Sequence, residues 1–574
     1  MAKGKSKNNR TINFDVRNLD ALTTQLRAKI GPNPLLPPAG SILFDTFKDW
    51  ASGLAGNPRL VRDLLKEAAV GSFDNLQHLL NLDHHPSDPR FSHPAYKENL
   101  LFRCLANQYW LTREVIQKSV DGSLSNEKSA RAKTLANLIA EGMSPTNFFW
   151  TNPAAQIRAL ETGGASLITG LRQFVDDVVN NGAMPSMAKS DAYNVGKNLA
   201  ITEGSVVYRS PVFEIIEYAP QTEEVYERPL LIGPSTVNKY YALDLAPGKS
   251  LVEWIVQSGF RVYMISWRNP QSEHRDWNLE TYVSSLNEAC QVVSEISGFP
   301  DLNLAVMCGS GVTAALMLAY HAKKKVRLVH AVTFLVAGID SSYPSQFAAL
   351  LDEKSVERAI EQTTENGVLS GRSLMRSFSM MRSHELIWNM GVNNYLLGKE
   401  PPGTEVLAWN MDVTNMPAGL HSDLLKSMLY QSFTKGATVK ILNDTVSFEE
   451  INIDSYTVGA MADDTVPWQS TYYSMRLFRG KKRFALVSGG HVQCMVNSLG
   501  HPKAFYRINE GFDPNGPIED WLKESVLINE SWWQDWQNWL LDRAGDKIPA
   551  SHSAGSRKYP PILPAPGIYV MEKG

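Results

Sequence analysis

The spacing of apolar residues changes character near residue 205. From about 41 to 200 apolar positions recur at helical spacing, as in Leu100–Ser119 and Lys128–Glu141, which predicts a mainly helical N-terminal domain. Turn-rich pieces, Asp88-Pro-Arg-Phe and Ser144-Pro-Thr-Asn, interrupt it. Residues 1–40 read as a mobile lead-in that ends in a Pro-rich stretch, Pro32 to Pro38. Beyond 205 the period shortens. Ser205-Val-Val-Tyr and Phe213-Glu-Ile-Ile-Glu-Tyr alternate like antiparallel strands. Pro229-Leu-Leu-Ile-Gly and Arg261-Val-Tyr-Met-Ile-Ser-Trp are continuously apolar, which suits strands buried on both faces of a parallel sheet.

Helical stretches, Ser250–Ser258 and Leu279–Ser297, separate these strands. Strands alternating with helices predict βαβ units and a doubly wound sheet within 201–574. Between about 340 and 450 the pattern loosens into Met, Ser, Asn and Trp, as expected of a cap inserted over a site. It resumes at Ile453–Ala460 and Arg483–Val487. Near the end, the Trp residues of Ser531-Trp-Trp-Gln-Asp-Trp-Gln-Asn-Trp539 fall on one helical face and are expected to pack on the core.

Composition narrows the function classes. The chain has 574 residues, 43% of them hydrophobic, which is enough for a large core and more than one domain. A net charge of −3 gives no sign of a nucleic-acid partner. The basic start Met1 to Arg10 lacks the apolar stretch of a signal peptide, and no run of about 18 apolar residues suggests a membrane span, so a cytoplasmic protein is expected. Cys104, Cys290, Cys308 and Cys494 lie far apart without a Cys-x-x-Cys pair, which argues against a disulfide framework or zinc site. No metal or cofactor is indicated.

The chemistry centres on Cys308. In Asp301-Leu-Asn-Leu-Ala-Val-Met-Cys308-Gly-Ser-Gly-Val-Thr-Ala-Ala, an alternating apolar strand runs into a Cys among small residues, and a helical pattern follows at once. This is the setting of a nucleophile elbow, with sulfur in place of oxygen. Ala-Asp463-Asp464-Thr-Val-Pro-Trp and Ser-Gly-Gly-His491 follow, so nucleophile, acid and histidine occur in the chain order of the α/β-hydrolase fold. Either aspartate could serve. A helix N-terminus lowers a thiol pKa, and the amide of Gly309 can face a developing oxyanion. The second donor is expected from the loop Gly233 to Tyr241. A thiolate that forms a labile thioester suits acyl transfer between activated acyl groups. Cys104, Cys290 and Cys494 are expected in the core.

These residues lie among longer motifs. They include Asp88-Pro-Arg-Phe-Ser-His-Pro-Ala-Tyr, Met143-Ser-Pro-Thr-Asn, Asn238-Lys-Tyr-Tyr-Ala-Leu-Asp-Leu-Ala-Pro, Ser266-Trp-Arg-Asn-Pro and Trp409-Asn-Met-Asp-Val-Thr-Asn-Met-Pro. On them, over roughly 85 to 570, the chain resembles the polyhydroxyalkanoate synthases, of the type that works without a different partner subunit. The resemblance implies catalytic Cys308, Asp463 and His491, with oxyanion donors at Gly309 and near Val237 or Asn238. It implies polymerisation of (R)-3-hydroxyacyl-CoA into polyester with release of CoA. It also implies a homodimer, working at cytoplasmic storage granules. His274-Arg-Asp-Trp-Asn-Leu-Glu-Thr-Tyr and Pro564-Ala-Pro-Gly-Ile-Tyr-Val look closest to the medium-chain-length branch.

Three positions depart from the family pattern. Its elbow reads Gly-x-Cys-x-Gly, but here Val306 and Ser310 occupy the flanks, and Asp464 stands where a His is usual. A branched Val306 is expected to reshape the pocket or slow the enzyme. A carboxylate beside Asp463 would raise its pKa or serve in its place. Two rival readings remain: a thiol esterase or polyester hydrolase with the same triad, and a weakly active granule-binding homologue.

Overall fold

The computed structural model describes residues 39–77, 88–124, 126–189, 192–343 and 351–574. The expected lead-in lies outside the described residues, except that Ala39 and Gly40 already belong to the first helix. That helix, α1 (Ala39–Ala55), is followed by α2 (Pro58–Gln77), α3 (Leu100–Ser123), α4 (Asn126–Gly142) and α5 (Ala165–Asn180). Asn99 caps α3 by accepting from the Leu101 amide, at 3.0 Å. Among the described residues no helix is long and apolar enough to cross a membrane.

The rest of the chain is built on one eleven-stranded sheet. Its strands are β1 (Gly204–Arg209), β2 (Phe213–Tyr218), β3 (Leu230–Gly233), β4 (Val262–Trp267), β5 (Leu302–Met307) and β6 (Val329–Leu335). They continue as β7 (Asp454–Ala460), β8 (Lys482–Val487), β9 (Tyr506–Ile508), β10 (Val526–Ile528) and β11 (Leu563–Pro564). The order is β10-β9-β8-β7-β6-β5-β3-β4-β2-β1-β11. The central strands β4, β3, β5, β6, β7 and β8 run parallel, and the flanking ones antiparallel. This is an α/β-hydrolase sheet.

The two faces of the sheet explain the continuous apolar runs. Leu230 and Ile232 of β3 enter one core layer, and Leu231 enters the other. The first layer holds Trp532, Trp533, Trp536 and Trp539, so the Trp-rich segment packs on the core. The Trp536 indole donates to Thr333 Oγ1 at 2.9 Å. The second layer holds α6 (Leu279–Ser297) and α7 (Ser310–Lys324). Strand β5 reads as alternating, yet it is buried on both faces. Its Asn303 tolerates this because the side-chain amide donates to the Arg543 carbonyl at 3.0 Å.

Between β6 and β7 the chain forms α8 (Glu353–Asn366), α9 (Gly371–Met381), α10 (Ala418–Leu429) and shorter pieces. Asp352 and Ser355 form a capping box at the start of α8. This insertion is gripped by the N-terminal helices. Arg131 of α4 pairs with Asp352 at 2.5 Å, and Tyr395 donates to Asp177 of α5 at 2.9 Å. A Cβ on Gly170 would lie 1.9 Å from the Tyr395 carbonyl oxygen, so only glycine admits this approach.

Candidate active site

Strand β5 ends at Met307, and α7 starts at Ser310, leaving Cys308 on the turn between them. Cys308 has φ +53°, a left-handed conformation that strains a residue with a Cβ. Three contacts hold it there. Its N–H donates to the Leu335 carbonyl at 2.9 Å, and its carbonyl accepts from Gly311 N–H at 2.9 Å. Ser310 Oγ donates to the Pro234 carbonyl, which ties the helix start to the loop after β3.

The atypical elbow is compensated by its neighbours. Val306 is fully buried in the layer under α6 and lines neither cavity described below, so it does not border the pocket directly. Its ladder partner is Gly233, where a Cβ would sit 3.3 Å from Val306 Cγ1. The valine fills space that the glycine leaves. The close approach of helix to sheet has moved one residue along, to Gly311, where a Cβ would lie 2.5 Å from Ala337 Cβ. Gly311→Ala is therefore expected to destabilise the protein by about 1–3 kcal/mol through overpacking, read as a lowered Tm in thermal unfolding.

Asp463 and His491 reach the thiol from the ends of β7 and β8. Ala462 N–H donates to the Gly489 carbonyl at 3.0 Å, which laces the two loops together. His491 Nδ1 donates to Asp463 Oδ2 at 2.7 Å. Asp463 Oδ1 accepts from the Thr465 and Val466 amides, each at 2.9 Å. The Asp463 side chain is 0% exposed and that of His491 16%. The imidazole lies beside the Cys308 sulfur, on the wall of a shared chamber and near enough for each group to shift the other's pKa. Cys308, Asp463 and His491 thus form one relay, and Asp463, not Asp464, holds the ring.

The electrostatics single out one cysteine. Burial alone would raise the Cys308 thiol, but the charge of His491 and the Gly309 amide outweigh it, and its pKa falls below the ordinary thiol value. Burial likewise opposes charging His491, yet Asp463 and the Cys308 thiolate lift its pKa well above the ordinary histidine value. Both shifts favour the thiolate–imidazolium form of the pair over the neutral one. Burial instead pushes up the thiols of Cys290 and Cys494, both fully enclosed. Cys494 Sγ donates to the His491 carbonyl at 3.4 Å. Cys104, expected in the core, is only half-buried on α3.

Cys308 lies between two cavities. The larger, of about 1090 Å³, is bounded by the catalytic elements, the insertion and the N-terminal helices. Gly309 and Val237 line it beside Cys308. Asn238 instead lines a small chamber of about 10 Å³, together with Cys308, His491, Lys239, Tyr240 and Trp409. The main chain of Asn238 bridges to Val413 of the insertion, and the Trp409 indole donates to the Lys239 carbonyl at 2.9 Å. The expected oxyanion donors are therefore split between the two spaces. Among the described residues no cluster of three or more His, Cys, Asp or Glu is arranged to hold a metal ion.

Several residues around the site carried no local signal. Glu141 of α4 and Arg382, just after α9, line the larger cavity with Asp464. They are far apart in sequence and meet only through the fold. Trp409 and Lys239 stand in motifs noted above, but spacing gave neither a role.

Comparison with known proteins places this arrangement. The family described as poly-beta-hydroxybutyrate polymerase (PhaC) N-terminus matches residues 87–255, and the alpha/beta hydrolase fold matches residues 232–498. The chain is 40% identical to poly(3-hydroxyalkanoate) polymerase 1 of Ectopseudomonas oleovorans, over 85% of this chain and 87% of that protein. It is 36% identical to polymerase 2 of the same organism, over 89% and 95%. To the poly(3-hydroxyalkanoate) polymerase subunit PhaC of Cupriavidus necator it is 33% identical, over 85% and 83%.

Proposed function

Because the chain belongs to the poly(3-hydroxyalkanoate) polymerase family, we propose that it polymerises (R)-3-hydroxyacyl groups from their CoA thioesters into polyester and releases CoA. The observation that carries the chemistry is the relay Asp463–His491–Cys308, with a thiol of lowered pKa opening into the larger cavity. The Cys308 thiolate attacks the thioester carbonyl. The oxyanion faces the amides of Gly309 and Val237. CoA leaves as a thiolate and takes a proton from His491, and the acyl group stays on Cys308 as a thioester.

In the second half-reaction the 3-hydroxyl of another unit attacks this thioester. The C–S bond breaks, an ester forms, and Cys308 departs as thiolate. His491 is neutral at this stage and takes the hydroxyl proton, which regenerates the thiolate–imidazolium pair. Asp463 holds His491 Nδ1–H throughout and keeps Nε2 towards the sulfur. The CoA thioester is substrate, and no cofactor takes part.

The larger cavity is at the upper end of the size range of small-molecule sites. Met380, Met381, Met416 and Met428 line it with flexible apolar side chains, which supports longer 3-hydroxyacyl units. As a homodimer at the surface of a cytoplasmic polyester granule, the protein would keep its growing product beside the cavity.

Purified protein mixed with an (R)-3-hydroxyacyl-CoA tests the reading. CoA release with polymer is expected. CoA release with only free hydroxy acid would make it a hydrolase, and no release would leave a granule-binding protein.

A further inference from the structure

Asp464 is the carboxylate left over at this site. The larger cavity has four acidic side chains in its wall: Glu141, Asp340, Glu385 and Asp464. Three are engaged. Glu141 accepts from Arg90 at 2.6 Å and faces Arg113 at 3.6 Å. Asp340 accepts from the Ser342 amide at 2.8 Å, and Glu385 pairs with Arg382. Asp464 has no hydrogen bond among the described residues. Its nearest cation is Arg382 Nε, at 3.9 Å from Oδ2.

That distance is too long for a hydrogen bond. It leaves an acceptor and a donor close enough together for one hydroxyl, set beside the pair at about 2.8 Å from each, to donate to Asp464 and accept from Arg382. The Asp464 side chain is 44% exposed, so a small group in the cavity can reach it. Asp463 cannot play this part, because both its oxygens are occupied and it is shut off from the cavity. Burial, with Asp463 and Glu385 nearby, outweighs Arg382 and raises the Asp464 pKa, as expected of a carboxylate short of donors.

We propose that Asp464 binds the 3-hydroxyl of the substrate acyl group, with Arg382 on its other side, and so selects 3-hydroxyacyl over plain acyl thioesters. The inference rests on the polymerase reading and assigns the recognition of its substrate. The pairing is charge-assisted, and such a contact is lost when the substrate lacks the hydroxyl. Asp464 then has a job separate from that of Asp463, and does not replace it.

The test compares first-turnover CoA release from an (R)-3-hydroxyacyl-CoA and from the acyl-CoA of equal length without the hydroxyl. The unaltered protein is expected to favour the hydroxylated substrate by about tenfold or more in the first-turnover rate at subsaturating substrate. Asp464→Ala should bring that ratio close to one, and Asp464→Asn, which keeps an acceptor, should restore part of it. Should the alanine variant not fold, the same ratio is read in Asp464→Asn, where a reduced preference supports the assignment and an unchanged one overturns it. A ratio kept in Asp464→Ala, or absent from the unaltered protein, overturns the inference alone. No CoA from either substrate with the unaltered protein overturns the polymerase reading, and this inference with it.

Discussion

Cys308→Ala is expected to lower CoA release from an (R)-3-hydroxyacyl-CoA by at least about four orders of magnitude. The reason lies in the covalent step. Without the sulfur there is no atom to hold the acyl group while CoA departs and the next hydroxyl arrives. The Gly309 and Val237 amides could still polarise a bound thioester, but only water or a distant hydroxyl would attack it. The variant should fold. Alanine adopts φ +53° no less readily than cysteine, and the contacts that hold the turn come from main chain and from Ser310. A rapid-mixing assay of CoA, with circular dichroism as a control for folding, reads the result. Turnover retained in a folded variant would remove Cys308 from the mechanism.

The charge state of Cys308 gives the same site a pH signature. His491 holds the thiol pKa below its ordinary value, so the thiolate is present at lower pH than in a free thiol. It is lost as pH falls through the lowered value, and the rate of alkylation by iodoacetamide falls with it. Cys290 and Cys494 have raised thiols and no path to solvent, so they contribute little to that rate.

Cys308 and His491 were legible in the sequence because each stands on a short, local signal. An apolar strand, a small-residue turn and a helix surround the first, and a strand with a Ser-Gly-Gly turn precedes the second. The acid was legible only as a pair. Choosing Asp463 took either the resemblance or the hydrogen bond to His491. The doubt about Val306 shows the limit of a local reading. The residue that accommodates it, Gly233, is its neighbour across the parallel ladder, far away in sequence. The insertion between β6 and β7 failed to show its helices for a related reason. Its buried faces are themselves partly polar, with Ser355 and Thr363 on α8 and Arg376 and Ser379 on α9, so a count of apolar positions misses the helical period. Likewise Arg382 gains its place beside Asp464 only when the insertion is folded over the sheet.

Asp463→Asn is expected to reduce turnover by about three to four orders of magnitude while leaving the fold intact. Asparagine is the same size, and its carbonyl oxygen can still accept from the Thr465 and Val466 amides. Its amide then faces His491 Nδ1 with a donor where an acceptor stood. The ring must turn its lone pair to that donor and carry its proton on Nε2, towards the sulfur. In that tautomer it can no longer take a proton from Cys308. The imidazolium, now without its carboxylate, is also less stable, so His491 loses the charge that lowers the thiol pKa. Two measurements follow. Turnover at neutral pH should collapse, and the pH midpoint for alkylation of Cys308 should move upward, towards that of an ordinary thiol. A purely structural role for Asp463 would lower the amount of folded protein but would not move that midpoint. An unchanged midpoint in a folded variant would mean that Asp463 does not act through His491.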